Sequence, residues 1–362
     1  MRRLATLVLL ALFALAGAAA WVAYQWRTPY RGYAGAAVVD IPRGESTRAI
    51  AGLLASAGVV PSALGFQLYC RWRRRQPLEA GEYRFDRPMT PPEVFDMLAQ
   101  GRIWTVTVTV PEGWTMLDIA AEVAREGLAG REAFLRSARD PSPVRDLAPR
   151  APTLEGFLFP AVYRFPHRTT PRAITAAMVE RFREAWTRVA GPDVPPRGLT
   201  VEQVVTLASL VEEETPKPAE RPVVAAVFLN RLELGYPLEC DPSVVYALKL
   251  AGRYNGALEP AELHVASAYN TYLHRGLPPG PIGNPGEASL RAALEPAHSD
   301  FLYFVADGSG GHAFSRTLAQ HERNVMRYRR LLAGTTRHRG QARDRARPPH
   351  AAAGSHSTGS SR

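Results

Sequence analysis

The pattern of hydrophobic and polar residues divides the chain into three stretches. An uncharged apolar run extends from Leu4 to Ala23, and a long body of alternating and helically spaced apolar segments follows it. From Thr335 onward, large apolar residues are almost absent. Alternation of period two predicts half-buried strands, and helical spacing predicts amphipathic helices. We therefore expect an α+β fold for the body and disorder for the tail, residues 335–362.

A repeat occurs inside this body. Residues 41–58, IPRGESTRAIAGLLASAG, match residues 110–127, VPEGWTMLDIAAEVAREG, at a single offset. Each copy predicts a strand that ends in a Pro-x-Gly turn, followed by a helix with Ser46 or Thr115 as its N-cap. Two copies are too few for a solenoid, so we predict two small β-α units.

Local signals predict further elements around and after the repeat. The predicted strands are 81–85, 103–110 and the two arms of a hairpin in 301–315, and the predicted helices start at Thr90, Thr170, Thr200 and Asp241. Thr90 and Thr200 begin capping boxes, and the hairpin has a Gly-rich turn. Residues 137–152, rich in Pro, Arg, Asp and Ser, and residues 275–286, rich in Pro and Gly, predict loops.

The predicted helix that ends in LASLVEEE carries three consecutive carboxylates. At about 100° per residue, Glu213 lies on the polar face with Thr206 and Ser209, whereas Glu212 and Glu214 lie at opposite borders of the apolar face. A carboxylate at such a border suits general acid catalysis, because desolvation raises its pKa. Solvated charge at a helix end is the alternative, and the spacing does not distinguish Glu212 from Glu214.

The N-terminal segment determines the expected compartment. Its twenty uncharged residues are long enough to span a bilayer. Arg2 and Arg3 precede this run and aromatic residues follow it, which predicts a cytoplasmic N-terminus and an exported body. We expect residues 1–27 to be an uncleaved single-pass anchor. The alternative is a signal peptide cleaved near residues 18–20, which read Ala-Ala-Ala.

Charge and cysteine content narrow the expected partners. The net charge is +10, carried almost entirely by arginine, because Lys217 and Lys249 are the only lysines. This excess favours an anionic neighbour such as a phospholipid surface or a cell-wall polymer. The Arg-rich tail has no accompanying nucleic-acid-binding motif, so no nucleic-acid partner is expected. Cys70 and Cys240 are far apart and lack metal-ligand spacing, so we expect neither a zinc site nor a disulfide.

Several long motifs closely resemble the endolytic murein transglycosylases, inner-membrane enzymes that cleave the glycan strands of peptidoglycan. The motifs are LASLVEEET with AERPVVAAVFLNRLELGYPLECDPSVVYAL, RYNG, SAYNTYLHRGLPPGPIGNPG and DFLYFVADGSGGHAFSRTLAQH. The resemblance covers roughly residues 37–330. It implies four parts: a cytoplasmic start and anchor in 1–27, a small LysM-like α/β module in 37–105, a mixed α+β catalytic domain in 106–334, and the basic tail.

The resemblance also implies the chemistry. In the family motif E-x-E-T the catalytic acid is the Glu before Thr, which is Glu214 here. The implied lyase reaction cleaves the bond between N-acetylmuramic acid and N-acetylglucosamine and leaves a 1,6-anhydro end. A single carboxylate can serve, because the attacking hydroxyl belongs to the substrate. No metal and no cofactor is expected.

Five further residues are expected to bind substrate: Glu155, Tyr254, Tyr269, Asn270 and Thr271. Each has an alternative role. Asn270 could satisfy its own turn, Glu155 could be the ion-pair partner of an arginine, and the tyrosines could belong to the core. His312 is expected to be structural or to donate a hydrogen bond from behind the site.

The family implies a periplasmic catalytic domain on the inner membrane, peptidoglycan glycan strands as substrate and peptidoglycan synthases as partners. Cleavage of nascent strands would then terminate their polymerisation. One alternative is a non-catalytic, membrane-anchored protein that binds peptidoglycan or serves as a scaffold. A pyridoxal-phosphate lyase would need a Schiff-base lysine, and the only lysines are Lys217, in a Pro-rich loop, and Lys249. An exported domain is also an unusual place for that cofactor.

Overall fold

The computed structural model describes residues 2–73, 76–190 and 198–345. These residues form two compact units. The first comprises the chain up to Thr109 with 122–130 and 162–170, and the second comprises 110–121, 131–161 and the chain from Pro171 onward. The predicted boundary between residues 105 and 106 divides the chain linearly, whereas both units are discontinuous. Residues 346–362 of the predicted tail lie outside the described residues.

Two antiparallel strand pairs form the sheets of the first unit. Strand β1 (Ala37–Ile41) pairs with β2 (Gly81–Phe85), and β3 (Thr105–Thr109) pairs with β4 (Val162–Pro166). Buried residues alternate along β3 and β4, as expected of strands with one face on a core. Strand β2 coincides with the predicted strand 81–85, and β3 lies inside the predicted strand 103–110.

Four helices accompany these strands: α1 (Arg2–Arg27), α2 (Thr47–Ser56), α3 (Ala63–Trp72) and α4 (Pro91–Ala99). Because α2 and α3 separate β1 from β2, residues 37–85 have the order strand, helix, helix, strand. The core of this unit includes Leu54, Phe66, Tyr83 and Phe95. These four side chains come from α2, α3, β2 and α4, and Val39 and Ile41 of β1 belong to the same core.

Both copies of the repeat have the predicted turn and cap. The glycines of the Pro-x-Gly turns, Gly44 and Gly113, have φ of 80° and 82°, a region that glycine adopts without strain. The Ser46 side chain caps α2. Thr115 precedes α5 (Met116–Arg125), where its N–H donates to Asp118 Oδ2 and its hydroxyl oxygen accepts from the Asp118 N–H. The prediction of two β-α units is confirmed.

The second unit is mainly helical. Its further elements are α6 (Arg131–Ala138), α7 (Pro171–Ala190), α8 (Val201–Glu214), α9 (Arg221–Glu233), α10 (Asp241–Leu250), α11 (Glu287–Leu294), the hairpin of β5 (Tyr303–Ala306) and β6 (His312–Ser315), and α12 (Leu318–Arg345). The predicted hairpin and the Thr200 capping box are confirmed. Helix α10 has Cys240, one residue earlier than predicted, at its N-cap position.

Helix α8 is buried over most of its circumference. Thr206 and Ser209, predicted to face solvent, are 2% and 0% exposed, so that prediction is wrong. Helix α11 packs against α8. The 275–286 loop also contributes, because Ser209 Oγ accepts a hydrogen bond from the Ile282 N–H at 3.0 Å. Thr206 satisfies its hydroxyl within the helix, at the carbonyl of Glu202.

Helix α12 extends into the predicted tail, residues 335–362, whose disorder stays a prediction. The helix continues to Arg345. Its first turns pack on β5 and β6, which provides a start from which helix can propagate. Arginine, glutamine and alanine, frequent in this stretch, are good helix formers, and an interior glycine costs only about 1 kcal/mol. A polar composition therefore did not prevent helix formation here.

Helix α1 contains the apolar N-terminal run. Residues 6–27 have a mean hydropathy of 2.3 and are long and apolar enough to cross a membrane. A signal sequence meets the same criteria.

Candidate active site

The three carboxylates at the end of α8 occupy three different environments. Glu212 is ion-paired with Arg221, whose Nη2 lies 2.6 Å from Glu212 Oε1. The two side chains are only 6% and 8% exposed. The other oxygen of Glu212 accepts from the N–H of Gly286 at 2.9 Å. The Glu212 carboxylate therefore ties α8 to α9 and to the start of α11.

Glu213 is exposed, as the helical spacing predicts. Its carboxylate lies against the Gly113 turn so closely that a Cβ built on Gly113 would be 2.3 Å from Glu213 Oε1. Surrounding protein atoms raise the pKa of Glu213 to about 7, and the Lys249 charge opposes this effect. Water reaches the same carboxylate, so the protein crowds Glu213 without enclosing it.

Glu214 is partly buried and lines a cavity of about 410 Å³. Burial raises the pKa of Glu214 to about 7, although a hydrogen bond from the Cys240 thiol lowers it; the Asp241 charge raises it further. A carboxyl group with this pKa is protonated in a substantial fraction of molecules near neutral pH. Glu214 is the member of the cluster that combines burial with a cavity.

The cavity is enclosed by parts of the chain that are distant in sequence. Its other lining residues are Arg231, Leu238, Glu239, Asp241, Tyr272, Leu302, Tyr303, Phe304, Val305 and His321. Apolar side chains from β5 form one part of the wall, and ionisable side chains form another. Such a mixture of apolar surface and a few polar groups is typical of ligand sites.

Asp241 and Tyr272 form a hydrogen-bonded pair on this wall. Tyr272 Oη donates to Asp241 Oδ1 at 2.5 Å. Burial and the Asp241 carboxylate raise the pKa of Tyr272 above its ordinary value, so its hydroxyl remains protonated. The sequence around Asp241 predicts only the start of a helix, because nothing in its local pattern indicates that Asp241 lies beside Glu214.

Arg231 and Glu239 shape the opposite part of the wall. Arg231 is 8% exposed and donates from Nη1 to Leu238 O at 2.9 Å and to Glu239 Oε2 at 3.0 Å. Among the described non-glycine residues, Glu239 alone has a positive φ, of 53°. Such a conformation costs about 1–3 kcal/mol and persists where surrounding contacts hold it. The contacts of Arg231 supply that restraint beside the cavity.

Residues 39–327 match the YceG-like family. The chain belongs to the YceG-like family. It is 32% identical over 306 residues to the endolytic murein transglycosylase of Bacillus subtilis strain 168, covering 80% of this chain and 84% of that protein. It is 30% identical over 323 residues to the endolytic murein transglycosylase of Streptococcus pneumoniae D39. That match covers 80% of this chain and 58% of the pneumococcal protein.

A solved structure supports the same family assignment. The 2.6 Å crystal structure of a putative YceG-like protein from Listeria monocytogenes matches with a TM-score of 0.52 and 30% identity. The match covers 80% of this chain and 98% of the Listeria chain. The family resemblance stated from the motifs is thereby confirmed.

In this YceG-like chain Glu155 does not present its carboxyl group to a ligand. It is 2% exposed, and its oxygens accept from the Met116 N–H at 2.9 and 3.1 Å and from Asn284 Nδ2 at 2.9 Å. Tyr246 Oη lies 3.0 Å from Glu155 Oε2. Burial raises the pKa of Glu155 to about 8. These protein groups already occupy the carboxyl oxygens, and a role of Glu155 in substrate binding stays a prediction.

Asn270 and Thr271 are likewise internal, with exposed fractions of 0% and 2%. Asn270 Nδ2 donates to the carbonyls of Leu263 and Val265, and Oδ1 accepts from the Tyr272 N–H at 3.0 Å. The self-satisfied turn, the alternative considered for Asn270, is the arrangement observed. Substrate binding by these two residues stays a prediction, and the turn that Asn270 closes includes Tyr272, which lines the cavity.

Tyr254 and Tyr269 remain partly exposed but do not line the Glu214 cavity. The Tyr269 ring packs edge-on against Tyr246, with centroids 4.9 Å apart. Their substrate-binding roles stay predictions. Within the described ranges, no group of three or more His, Cys, Asp or Glu residues is placed to hold a metal ion. Cys70 and Cys240 are buried free thiols.

His312 supports the segment that follows Glu214. Its Nδ1 lies 2.7 Å from Glu220 Oε2, and its backbone N–H donates to Glu220 Oε1 at 3.2 Å. Thr215, the residue after Glu214, donates to Glu220 Oε2 at 3.4 Å. His312 therefore reaches the end of α8 through Glu220, from behind the cavity.

Proposed function

We propose that the chain is an endolytic murein transglycosylase, the activity named for its relatives, with Glu214 as the catalytic acid. One observation carries the assignment to this residue. Glu214 alone among the three clustered carboxylates combines partial burial, a pKa of about 7 and a place on the wall of the 410 Å³ cavity. A general acid needs that combination, because it must be protonated and within reach of the bound glycan.

The reaction that this site supports needs no added water. Glu214 donates its proton to the oxygen between N-acetylmuramic acid and N-acetylglucosamine, and the bond from muramic C1 to that oxygen breaks. The muramic C6 hydroxyl attacks C1, and the Glu214 carboxylate takes up the hydroxyl proton. The products are a new 4-hydroxyl on N-acetylglucosamine and a 1,6-anhydro-muramic end, and Glu214 is protonated again for the next cycle.

The walls of the cavity would assist this cycle electrostatically. The Asp241 charge raises the pKa of Glu214, which favours the protonated form needed at the start. The Cys240 thiol donates to the same carboxyl group and favours the ionised form needed in the second step. Because these two influences oppose each other, they hold the pKa of Glu214 near neutral pH, where one group can both donate and accept a proton.

We also propose that residues 37–105, which begin with the strand-helix-helix-strand stretch 37–85, are a LysM-like module that holds glycan. The loop after β1 and the loop before β2, residues 42–45 and 78–80, line a separate cavity of about 450 Å³ together with Ile50. Arg43 and Glu45 are exposed there and offer polar contacts to sugar hydroxyls. Substitution Arg43→Ala should weaken co-sedimentation with purified sacculi, and unchanged co-sedimentation would argue against this role.

The apolar helix α1 supports a membrane-anchored location with the catalytic unit in the periplasm. An enzyme held there would meet nascent glycan as it leaves the synthases, so cleavage would terminate polymerisation. Peptidoglycan synthases are the partners that this location brings within reach.

The central experiment compares the full chain with Glu214→Gln and with Glu213→Gln as the matched control. Sacculi are digested and anhydro ends are quantified by mass spectrometry. We expect Glu214→Gln to lose about 10²-fold or more of the activity, the usual range for a general acid, and the exposed neighbour to retain most of it. Anhydro release by Glu214→Gln at the wild-type rate would overturn the assignment. No release by wild type would favour the non-catalytic binding protein.

A further inference from the structure

His321 lies on the wall of the Glu214 cavity, although it is remote from Glu214 in sequence. The residue belongs to α12, and its ring stacks on Tyr303 with centroids 5.3 Å apart and planes 25° apart. Arg231 covers the same tyrosine at 5.1 Å. The stack fixes the orientation of the imidazole, so its two nitrogens have different surroundings.

The two ring nitrogens differ in what they can contact. Nδ1 is buried and has no hydrogen-bond partner. The side chain that carries Nε2 lines the cavity. Leaving an N–H buried without a partner costs about 1–3 kcal/mol, so the neutral ring favours the tautomer with its proton on Nε2.

Burial, assisted by the Arg231 charge, keeps the His321 ring neutral. Burial lowers the pKa of His321 below its ordinary value, and the Arg231 charge lowers it further. Glu239 and Glu322 oppose this effect without reversing it. At neutral pH the ring is therefore uncharged and carries one N–H donor.

We propose that His321 is a substrate-binding residue, whose Nε2–H donates a hydrogen bond to a neutral oxygen of the glycan held beside Glu214. The inference rests on the proposed function for its ligand. The chemistry of the donor suits the hydroxyl and acetamido oxygens of an uncharged sugar. Because the contact holds the glycan before and during bond cleavage alike, it strengthens binding and leaves the chemical step unchanged.

Two variants separate hydrogen bonding from packing. His321→Phe retains an aromatic ring on Tyr303 and removes the donor, whereas His321→Gln shortens the packing surface and retains an N–H donor. If His321 only packs, phenylalanine is the better substitute. If it binds glycan, glutamine is the better substitute. Melting temperatures of both variants are measured first, so that unfolded protein is not scored.

The first readout is binding without turnover. Full-length Glu214→Gln protein, alone and combined with each His321 variant, is mixed with purified glycan strands, and the retained strands are quantified. We expect His321→Phe to weaken retention about three- to tenfold, the range of one net hydrogen bond, and His321→Gln to restore most of it. Equal retention by all three proteins, or equal loss in both variants, would overturn the proposal.

The second readout compares KM with kcat in active enzyme that retains Glu214. We expect His321→Phe to raise KM by a similar factor while kcat stays nearly unchanged, as removal of uniform binding predicts. A fall in kcat at unchanged KM would contradict the proposal. The two readouts distinguish the possible failures. If wild-type protein releases no anhydro ends, the proposed function fails, while retention by the Glu214→Gln proteins still decides whether His321 binds glycan.

Discussion

At the scale of single residues, helical rotation separates three adjacent carboxylates into three roles. Glu212 is ion-paired with Arg221, Glu213 faces water beside Gly113, and Glu214 faces the cavity. A change of about 100° per residue is enough to produce these differences. For this reason Glu213 is a close control for Glu214, since the two share charge, helix and neighbours in sequence.

The pKa of Glu214 predicts how activity depends on pH. The reaction begins with the protonated acid, so kcat/KM should be constant at low pH and fall about tenfold per unit above roughly pH 7, the pKa of Glu214. Initial rates of anhydro release between pH 5 and 9 test this. A profile that rises through pH 7 would show that the ionised form is the active one.

Two substitutions should move the falling limb of the pH profile, the decrease of kcat/KM above about pH 7, in opposite directions. Cys240→Ala removes a hydrogen bond that lowers the pKa of Glu214, so the limb should shift to higher pH. Asp241→Asn removes a charge that raises this pKa, so the limb should shift to lower pH. Shifts of the same sign in both variants would contradict the assignment of the limb to Glu214.

At the scale of elements, the parts that could be predicted are those specified by neighbouring residues. The capping box of Thr200 and Gln203 is a local contact, and α8 begins where the sequence predicts. The burial of Ser209 depends on Ile282, 73 residues away, so helical periodicity alone assigned it to the wrong face. Asp241 and His321 were missed as cavity residues for the same reason, since only the folded chain brings them to Glu214.

Glu155 shows how one buried side chain joins several elements. It contacts the N-terminus of α5 through Met116, α10 through Tyr246, and the 275–286 loop through Asn284. The motif that contains Glu155 drew attention to the residue but not to its burial. Its importance is structural, because removing the carboxyl group would leave several donors without an acceptor.

Stability should therefore depend on pH through Glu155. Its pKa is about 8 in the folded chain against an ordinary 4.5, so the neutral form is favoured by folding. The stabilisation is complete below about pH 4.5 and is lost as pH rises through about 8. Glutamine is neutral throughout. The free energy of unfolding in urea should thus fall in wild type but not in Glu155→Gln as pH rises from 5 to 9. The difference between the two proteins should change by more than about 1.4 kcal/mol, the value of one pKa unit.

The matched control for this measurement is Glu132→Gln. Glu132 is an exposed residue in the first turn of α6, and surface substitutions of this kind usually change stability by less than about 0.5 kcal/mol. A stability difference between Glu155→Gln and wild type that stays constant from pH 5 to 9 would contradict the raised pKa of Glu155.

At the scale of the whole molecule, helix α1 has two different ends. Its apolar part is exposed along residues 6–20, as expected of a segment whose partner is lipid. Its last turn packs into the first unit, where Trp26 Nε1 donates to Gly65 O at 3.3 Å. The Trp26 ring also lies 5.1 Å from Tyr69 and 6.0 Å from Trp72, centroid to centroid. The same helix therefore combines a segment apolar enough to cross a membrane with a last turn that extends the folded core.

Two deletions should separate these functions. Removal of residues 2–20 leaves Trp26 in place, so we expect the protein to leave the membrane fraction with an unchanged melting temperature. Removal of residues 2–27 also deletes Trp26, and loss of its aromatic contacts should cost about 1–2 kcal/mol and lower the melting temperature by several degrees. Membrane fractionation and thermal unfolding measure the two effects. Retention of the shorter deletion in the membrane would show that another segment binds lipid, and equal melting of both deletions would show that Trp26 adds nothing to the core.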